Sequence, residues 1–296
     1  RGNFWIASRD AADKTWIVGY DSDDGPYHYY TYDLTRWKGE LLFTARDALQ
    51  GFVLARMEPI AFTSRDGLAL HGYLTTPLGV PASRLPTVLL VHGGPSQRDE
   101  WGFNPVVQWL ANRGYAVLQV NFRGSTGYGK KFPAGAIREW GGKMNDDLVD
   151  AVRWAVAQGI TDPQRIAIFG GSYGGYAALV GLASAPDLFA CGVDYFGPSN
   201  LITFLKNIPE SWKPYAGYFN TRLGDPVKDA EFLKSRSPLF QADRITKPLL
   251  IAQGANDPRV KKSESVQMVE ALRKAGKVVE YVEYADEGHG FQHPAN

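Results

Sequence analysis

Cysteine is almost absent from these 296 residues. Cys191 stands alone, so no disulfide can close within the chain. Its setting, Phe189-Ala-Cys-Gly-Val-Asp-Tyr195, reads as a buried strand and therefore as a structural thiol. Histidine is scarce as well. The five histidines are scattered, and neither they nor the cysteine have zinc-site spacing, so no metal and no cofactor is expected. No apolar run approaches the roughly 20 residues that span a bilayer, so no membrane association is expected. An excess of one charge is missing too: 32 basic residues face 31 acidic ones, which excludes the electrostatic footprint of a nucleic-acid or membrane-surface binder. The glycines of Arg123-Gly-Ser-Thr-Gly-Tyr-Gly129 lack the Lys-Ser/Thr ending of a phosphate loop. No signal-peptide pattern is seen, and a cytoplasmic location is the expectation. The chain opens on Arg1 in strand-like sequence, which reads as an incomplete N-terminus.

What is there is enough apolar sequence, 44%, to bury a core without staples. Two patterns divide it. Residues 1–50 carry four short strand-like runs, at 3–7, 15–20, 27–33 and 40–44. Turn clusters at 21–26 and 36–39 separate them. Four strands in that length match one β-propeller blade. A lone blade exposes aromatics such as Trp5, Trp16 and Tyr30, which gives a reason for self-association into a homo-oligomer. After a connector, residues 51–296 form the second domain. A hairpin spans 60–74, and then strands and helices alternate, which predicts an α/β domain with a mostly parallel, doubly wound sheet. Helices are expected at 104–112, 145–158, 173–184 and 264–274, and strands at 87–91, 115–120, 165–169, 191–195, 248–253 and 278–284. Residues 197–245 interrupt the alternation with Pro, Trp, Tyr and Phe, as an insertion over an active site does.

The strand at 165–169 runs directly into Gly170-Gly-Ser-Tyr-Gly-Gly175, and a small-residue helix follows. A serine hydroxyl needs a base to become a nucleophile, and it must stand exposed beside oxyanion donors. A sharp strand-to-helix turn presents it so, and crowds the backbone until only small neighbours fit. Ser172 is therefore the candidate nucleophile of an α/β-hydrolase fold. That fold orders its triad serine, acid, histidine. Only His289 and His293 follow Ser172, and His293 lies at the chain end, so His289 is the candidate base. Asp257, in the loop after the penultimate strand, is the candidate acid, with Asp194 as runner-up. Tyr173 N–H and Gly94 N–H are the expected oxyanion donors, with Gly93 as the alternative to Gly94. His92 precedes the serine and is assigned a loop-positioning role.

His92-Gly-Gly-Pro95, Asn121-Phe-Arg-Gly-Ser-Thr-Gly-Tyr-Gly129, Gly170-Gly-Ser-Tyr-Gly-Gly-Tyr176, Asp257-Pro-Arg259 and Gly288-His-Gly290 together resemble the prolyl oligopeptidase family, and the first of them its acylaminoacyl-peptidase branch. The resemblance covers about residues 58–293. It implies a serine-type peptidase domain preceded by a β-propeller, of which residues 1–50 would be the last blade. It also implies that Arg259 binds a backbone carbonyl of the substrate; otherwise the side chain would steady the Asp257 loop by a salt bridge. The expected function is hydrolysis of short or N-acylated peptides through an acyl-enzyme. Carboxylic ester hydrolysis at a site left open by the missing propeller is the alternative, and a non-catalytic binding protein on the same scaffold the remote one.

Overall fold

The computed structural model describes residues 2–296. The chain divides into two compact units: one of the segments through Pro59, Tyr73–Ala82 and Glu100–Val117, the other of Ile60–Gly72, Ser83–Asp99 and Leu118–Asn296.

In the first unit, β1 (Asn3–Arg9), β2 (Thr15–Ser22), β3 (Gly25–Asp33) and β4 (Lys38–Thr44) form a four-stranded antiparallel meander. The expected turn at 21–26 shrinks, because Ser22 still pairs with Gly25 and the strands run on to a two-residue connection. Aromatic side chains join the strands: Trp5 meets Tyr27 and Tyr29 edge-on, and Tyr29 stacks on Phe43 at 4.6 Å. The Phe103 N–H donates to Asp21, and Gln108 bonds both the Ala55 backbone and the Asp23 carbonyl.

The larger sheet has eight strands: β5 (Met57–Thr63), β6 (Ala69–Thr75), β7 (Leu85–Val91), β8 (Ala116–Asn121), β9 (Thr161–Gly171), β10 (Cys191–Tyr195), β11 (Leu249–Gly254) and β12 (Val279–Tyr284). Their spatial order is β12-β11-β10-β9-β7-β8-β6-β5, and the pairings from β7 through β9, β10 and β11 to β12 are parallel. β8 lies on one side of β7 and β9 on the other, so the chain reverses its direction of winding at β7. Loops leaving the carboxyl ends of β7 and β9 must therefore diverge around a crevice, the usual place for a site in such sheets.

Eight α-helices are found among the described residues: α1 (Pro105–Asn112), α2 (Lys131–Ala134), α3 (Lys143–Ala157), α4 (Tyr173–Ser184), α5 (Leu201–Lys206), α6 (Ala216–Arg222), α7 (Ala230–Ser235) and α8 (Lys262–Lys274). α1 starts where Asn104 accepts from the Val106 and Val107 N–H groups, with Pro105 at its first position. α4 is buried almost all round, and its small residues allow that. A Cβ on Gly174 would collide with Val91 O. α3 carries the fully buried Asp147, whose carboxylate takes paired bonds of 2.6 and 2.8 Å from Arg123 in the loop after β8. Asp66 takes two more from the same guanidinium. One arginine held in a fork from both sides fixes the loop that continues into Gly124 and Ser125.

Candidate active site

The Gly170–Gly175 turn closes as its composition requires. Register pairs Val91 with Gly170, which sets the ends of β7 and β9 side by side. Ser172 adopts φ 59 and ψ −120, a left-handed conformation rare for a residue with a side chain. Its N–H donates to Tyr195 O on β10 and its carbonyl accepts from Tyr176 N, so hydrogen bonds on both sides hold the strained turn. Tyr173 opens α4. Its backbone N–H belongs to the first turn, which has no intrahelical acceptor, while its ring is buried among Phe122, Trp140 and Tyr176.

The loop leaving β7 lies against this turn. A Cβ on Gly93 would stand 3.4 Å from Ser172 Cβ. Gly94 adopts φ 117, and a Cβ there would press on Ser96 N at 2.8 Å, so the position requires glycine. His92 braces the loop from below. Its Nδ1 lies 2.7 Å from Gly93 O and its Nε2 2.9 Å from Ser125 Oγ. Burial pushes the ring down to about 4 against the opposing Gly93 bond, so it is neutral at neutral pH. Gly93 O can only accept. Nδ1 therefore carries the proton, and the single Ser125 hydroxyl proton is shared between two acceptors, Phe122 O at 2.8 Å and His92 Nε2 at 2.9 Å.

The loops after β11 and β12 bring Asp257 and His289 together: His289 Nδ1 lies 2.7 Å from Asp257 Oδ2. Asp257 Oδ1 accepts the backbone N–H groups of Arg259 and Val260, and the buried Gln253 amide approaches Oδ2 at 3.4 Å. The carboxylate is thus buried yet surrounded by donors. Asp194, the runner-up, lies on β10 with Oδ1 bonded to Gly197 N. Burial pushes its carboxyl up to about 8. His289 packs its ring on Phe196, 4.7 Å between centroids, and Phe196 in turn lies against Gly171. Arg259 is exposed, and among the described residues its guanidinium forms no ion pair. The Asp257 loop is steadied by the Arg259 backbone rather than by its charge.

Three residues of this region escape sequence reasoning. Gln253 braces the Asp257 loop from β11, itself held by Ser265. Asn256 donates its N–H to Glu287 O and its amide to Ala285 O, tying the two loops to each other. Glu287, 1% exposed, accepts the Gln292 and His293 N–H groups and the Asn296 amide, closing the turn that carries His289. Its only sequence signal is its place two residues before the histidine in a glycine-flanked loop.

A cavity of about 290 Å³ opens beside Ser172, Tyr173 and Gly94. Its walls are mostly apolar, with Trp140, Phe204, Trp212, Phe219, Leu223 and Val260. Trp212, Tyr218, Phe219 and Leu223 come from the segment at 197–245 that interrupts the α/β alternation. Among the described residues no cluster of His, Cys, Asp and Glu is placed to hold a metal, and no helix is long and apolar enough to cross a membrane.

These features have counterparts in known proteins. The chain is 51% identical to dipeptidyl aminopeptidase BIII of Pseudoxanthomonas mexicana, over all of this chain and 44% of that protein. It is 44% identical to dipeptidyl peptidase family member 6 of Caenorhabditis elegans, over all of this chain and 43% of that one. It thus spans less than half the length of these curated relatives. The structure superposes on an acylaminoacyl peptidase of Pyrococcus horikoshii with a TM-score of 0.85 at 26% identity, covering 98% of this chain and 46% of that one. A sequence profile of the prolyl oligopeptidase family matches residues 101–296, the stretch that holds Ser172, Asp257 and His289. The α/β-hydrolase architecture, the N-terminal antiparallel sheet and this match agree, and the chain belongs to the prolyl oligopeptidase family.

Proposed function

We propose that the chain is the catalytic part of a serine peptidase, with Ser172 as nucleophile, His289 as general base and acid, and Asp257 as the orienting carboxylate. One observation carries the reading: a buried, fully donated carboxylate 2.7 Å from His289 Nδ1, in the same site region as a serine on a strained strand-to-helix turn. With its Nδ1 proton held by Asp257, His289 keeps Nε2 free to take the Ser172 proton. Ser172 Oγ adds to the substrate carbonyl carbon. The N–H groups of Tyr173 and Gly94 receive the developing oxyanion, a contribution worth about 3 kcal/mol per donor in comparable sites. The imidazolium, stabilised by Asp257, returns its proton to the leaving amine. Water then repeats the sequence on the acyl-enzyme.

The cavity beside Ser172 supports an apolar side chain on the residue that supplies the scissile carbonyl. Arg259, exposed and without an acidic partner among the described residues, is free to reach a substrate carbonyl with its planar fork. Two relatives that align with the whole chain are named for dipeptidyl release, and they favour peptides with a free N-terminus. The acylaminoacyl peptidase structure favours a blocked one. We take the first as the substrate class. Esters, with a better leaving group, are turned over by the same groups.

A fluorophosphonate probe tests the core of this reading: it is expected to label wild type on Ser172 and to leave Ser172→Ala unlabelled. No adduct on Ser172 in the folded protein sinks it. Paired anilides, one dipeptidyl with a free amine and one N-acetylated, test the substrate class. Preference for the acetylated substrate would reverse it. Turnover of esters with no amide cleavage would replace the peptidase by an esterase.

A further inference from the structure

The loop that leaves β7 ends in an unusual pair of side chains. Asp99 Oδ1 accepts from Gln119 Nε2 at 2.8 Å. Asp99 Oδ2 and Gln119 Oε1 are both buried, and neither has a hydrogen-bond partner among the described residues. Two acceptors without donors, on two side chains already joined, is an expensive arrangement if Asp99 is ionised. A single proton removes the difficulty. A carboxylic acid and a primary amide pair through two parallel bonds, and one of these is already in place. A proton on Asp99 Oδ2, given to Gln119 Oε1, makes the other and satisfies both orphans at once.

The backbone around Asp99 shows what the pair holds. Asp99 N donates to Asn121 Oδ1 at 2.8 Å, and Asn121 Nδ2 donates back to Asp99 O at 3.1 Å. Thr126 N donates to Gln97 O, and His92 reaches Ser125. The segment 92–99 is thus fastened at both ends to β8 and the loop that follows it, and between the fastenings sits Gly94.

We propose that Asp99 is a positioning residue, carried as a neutral carboxylic acid doubly bonded to Gln119, and that this pair sets the 92–99 loop so that Gly94 N–H faces the carbonyl attacked by Ser172. The inference rests on the reading of Gly94 as an oxyanion donor. Burial pushes the Asp99 carboxyl up to about 7, outweighing the Gln119 bond and the nearby Arg98 charge, in agreement with the geometry. Among the described residues, Arg98 supplies the charge that acts on Asp99. Arg98 lies on the same loop with its guanidinium over the Tyr128 ring, Asn121 bonds the Tyr128 hydroxyl, and His71 on β6 stacks on that ring from its own strand. Glu100 follows in the chain. Loss of the proton breaks the second bond, leaves a buried charge, and loosens the loop.

Asp99→Asn separates this from a plain structural role, because asparagine reproduces the neutral, doubly bonded partner. Its kcat/KM near pH 6 is expected within about twofold of wild type, while the alkaline fall that Asp99 imposes on the wild-type profile disappears. Gln119→Met removes both bonds, and its kcat is expected to fall about tenfold to a hundredfold with little change in KM, the signature of a misplaced oxyanion donor. Isotope-edited infrared spectroscopy reads the proton without any turnover. In the wild-type-minus-Asp99→Asn difference spectrum near pH 6, the C=O stretch of a protonated acid should remain as a positive band, since the band of buried Asp194 is common to both proteins and cancels. An ionised Asp99 in that spectrum overturns the assignment even if the enzyme is active. A protonated Asp99 with an unchanged pH profile in Asp99→Asn overturns the positioning role. Absence of fluorophosphonate labelling on wild type, by contrast, is a failure of the peptidase reading and leaves the infrared result to stand alone.

Discussion

The imidazole of His289 meets a carboxylate, Asp257, whose remaining contacts are all with neutral N–H donors: the backbone of Arg259 and Val260 and the Gln253 amide. Among the described residues no Lys or Arg pairs with it, so its negative charge is available to His289. That makes Asp257→Asn an informative variant. Asparagine can keep the Arg259 and Val260 bonds through Oδ1, but its amide would then face His289 Nδ1 with a proton. The ring would turn to the other tautomer and lose its free Nε2. Expected is a fall in kcat of about 10⁴ with near-wild-type thermal stability, measured on a peptide anilide and by calorimetry. A loss under tenfold would remove Asp257 from the proposed triad.

The turn at Ser172 gives a stability test. With φ 59, a side chain at this position is strained whatever its chemistry, and the Ser172 hydroxyl makes no capping bond to α4. Ser172→Ala therefore keeps the strain and loses no cap, while Ser172→Gly relieves it. Both variants should be inactive, and the glycine variant should be the more stable by about 1 kcal/mol in urea unfolding. Equal stability would mean that the neighbouring contacts, not the turn, set the cost.

How much of this was legible beforehand depends on where each residue finds its partner. The Ser172 turn is a local steric problem, and its glycines announce it. His289 and Asp257 follow from chain order once the fold is named. The Asp99–Gln119 pair joins a loop to a strand 20 residues away, and nothing local marks either member. Glu287 was hidden for a different reason. Its partners lie just ahead in the chain, but the turn that brings them to it exists only when the loop after β12 is folded back. The four-residue α2 and the short helices of 197–245 escape periodicity because they are too brief to show any. The turn between β2 and β3 was overestimated because Asp, Ser, Gly and Pro signal a turn whether or not the flanking strands pair through them.

Buried Asp194 should make stability depend on pH. Burial raises its folded carboxyl to about 8, against an opposing bond from Gly197 N, and Oδ2 has no partner among the described residues. An unfolded aspartate releases its proton near pH ~4. Between those values the folded state holds a proton that the unfolded state has lost, so stability falls as pH rises from about 4 toward 8. Asp99, raised to about 7, acts in the same direction. His92, lowered to about 4, acts oppositely and only below the ordinary histidine range: stability is lost as pH falls from about 6.5 toward 4. Asp194→Asn should thus show a flatter fall in Tm between pH 6 and pH 8 than wild type, of about half or less. An unchanged slope would mean that Asp194 is ionised in the folded chain.

The cavity beside Ser172 makes the last prediction. Trp212 is half-buried, stacks on Phe219 with 5.5 Å between centroids, and forms part of the apolar wall. Neither ring belongs to the proposed triad or its hydrogen bonds, so truncation should act on fit rather than on chemistry. Trp212→Ala widens the pocket and removes aromatic surface that a bulky apolar side chain would cover. For an anilide with phenylalanine at the scissile carbonyl, kcat/KM should fall about tenfold to a hundredfold, mainly through KM, because contacts of this kind bind ground state and transition state alike. For the alanine analogue, too small to reach that wall, the change should stay within about threefold. Equal losses on the two substrates would place the side-chain pocket elsewhere, and would leave Trp212 a packing residue of the 197–245 segment.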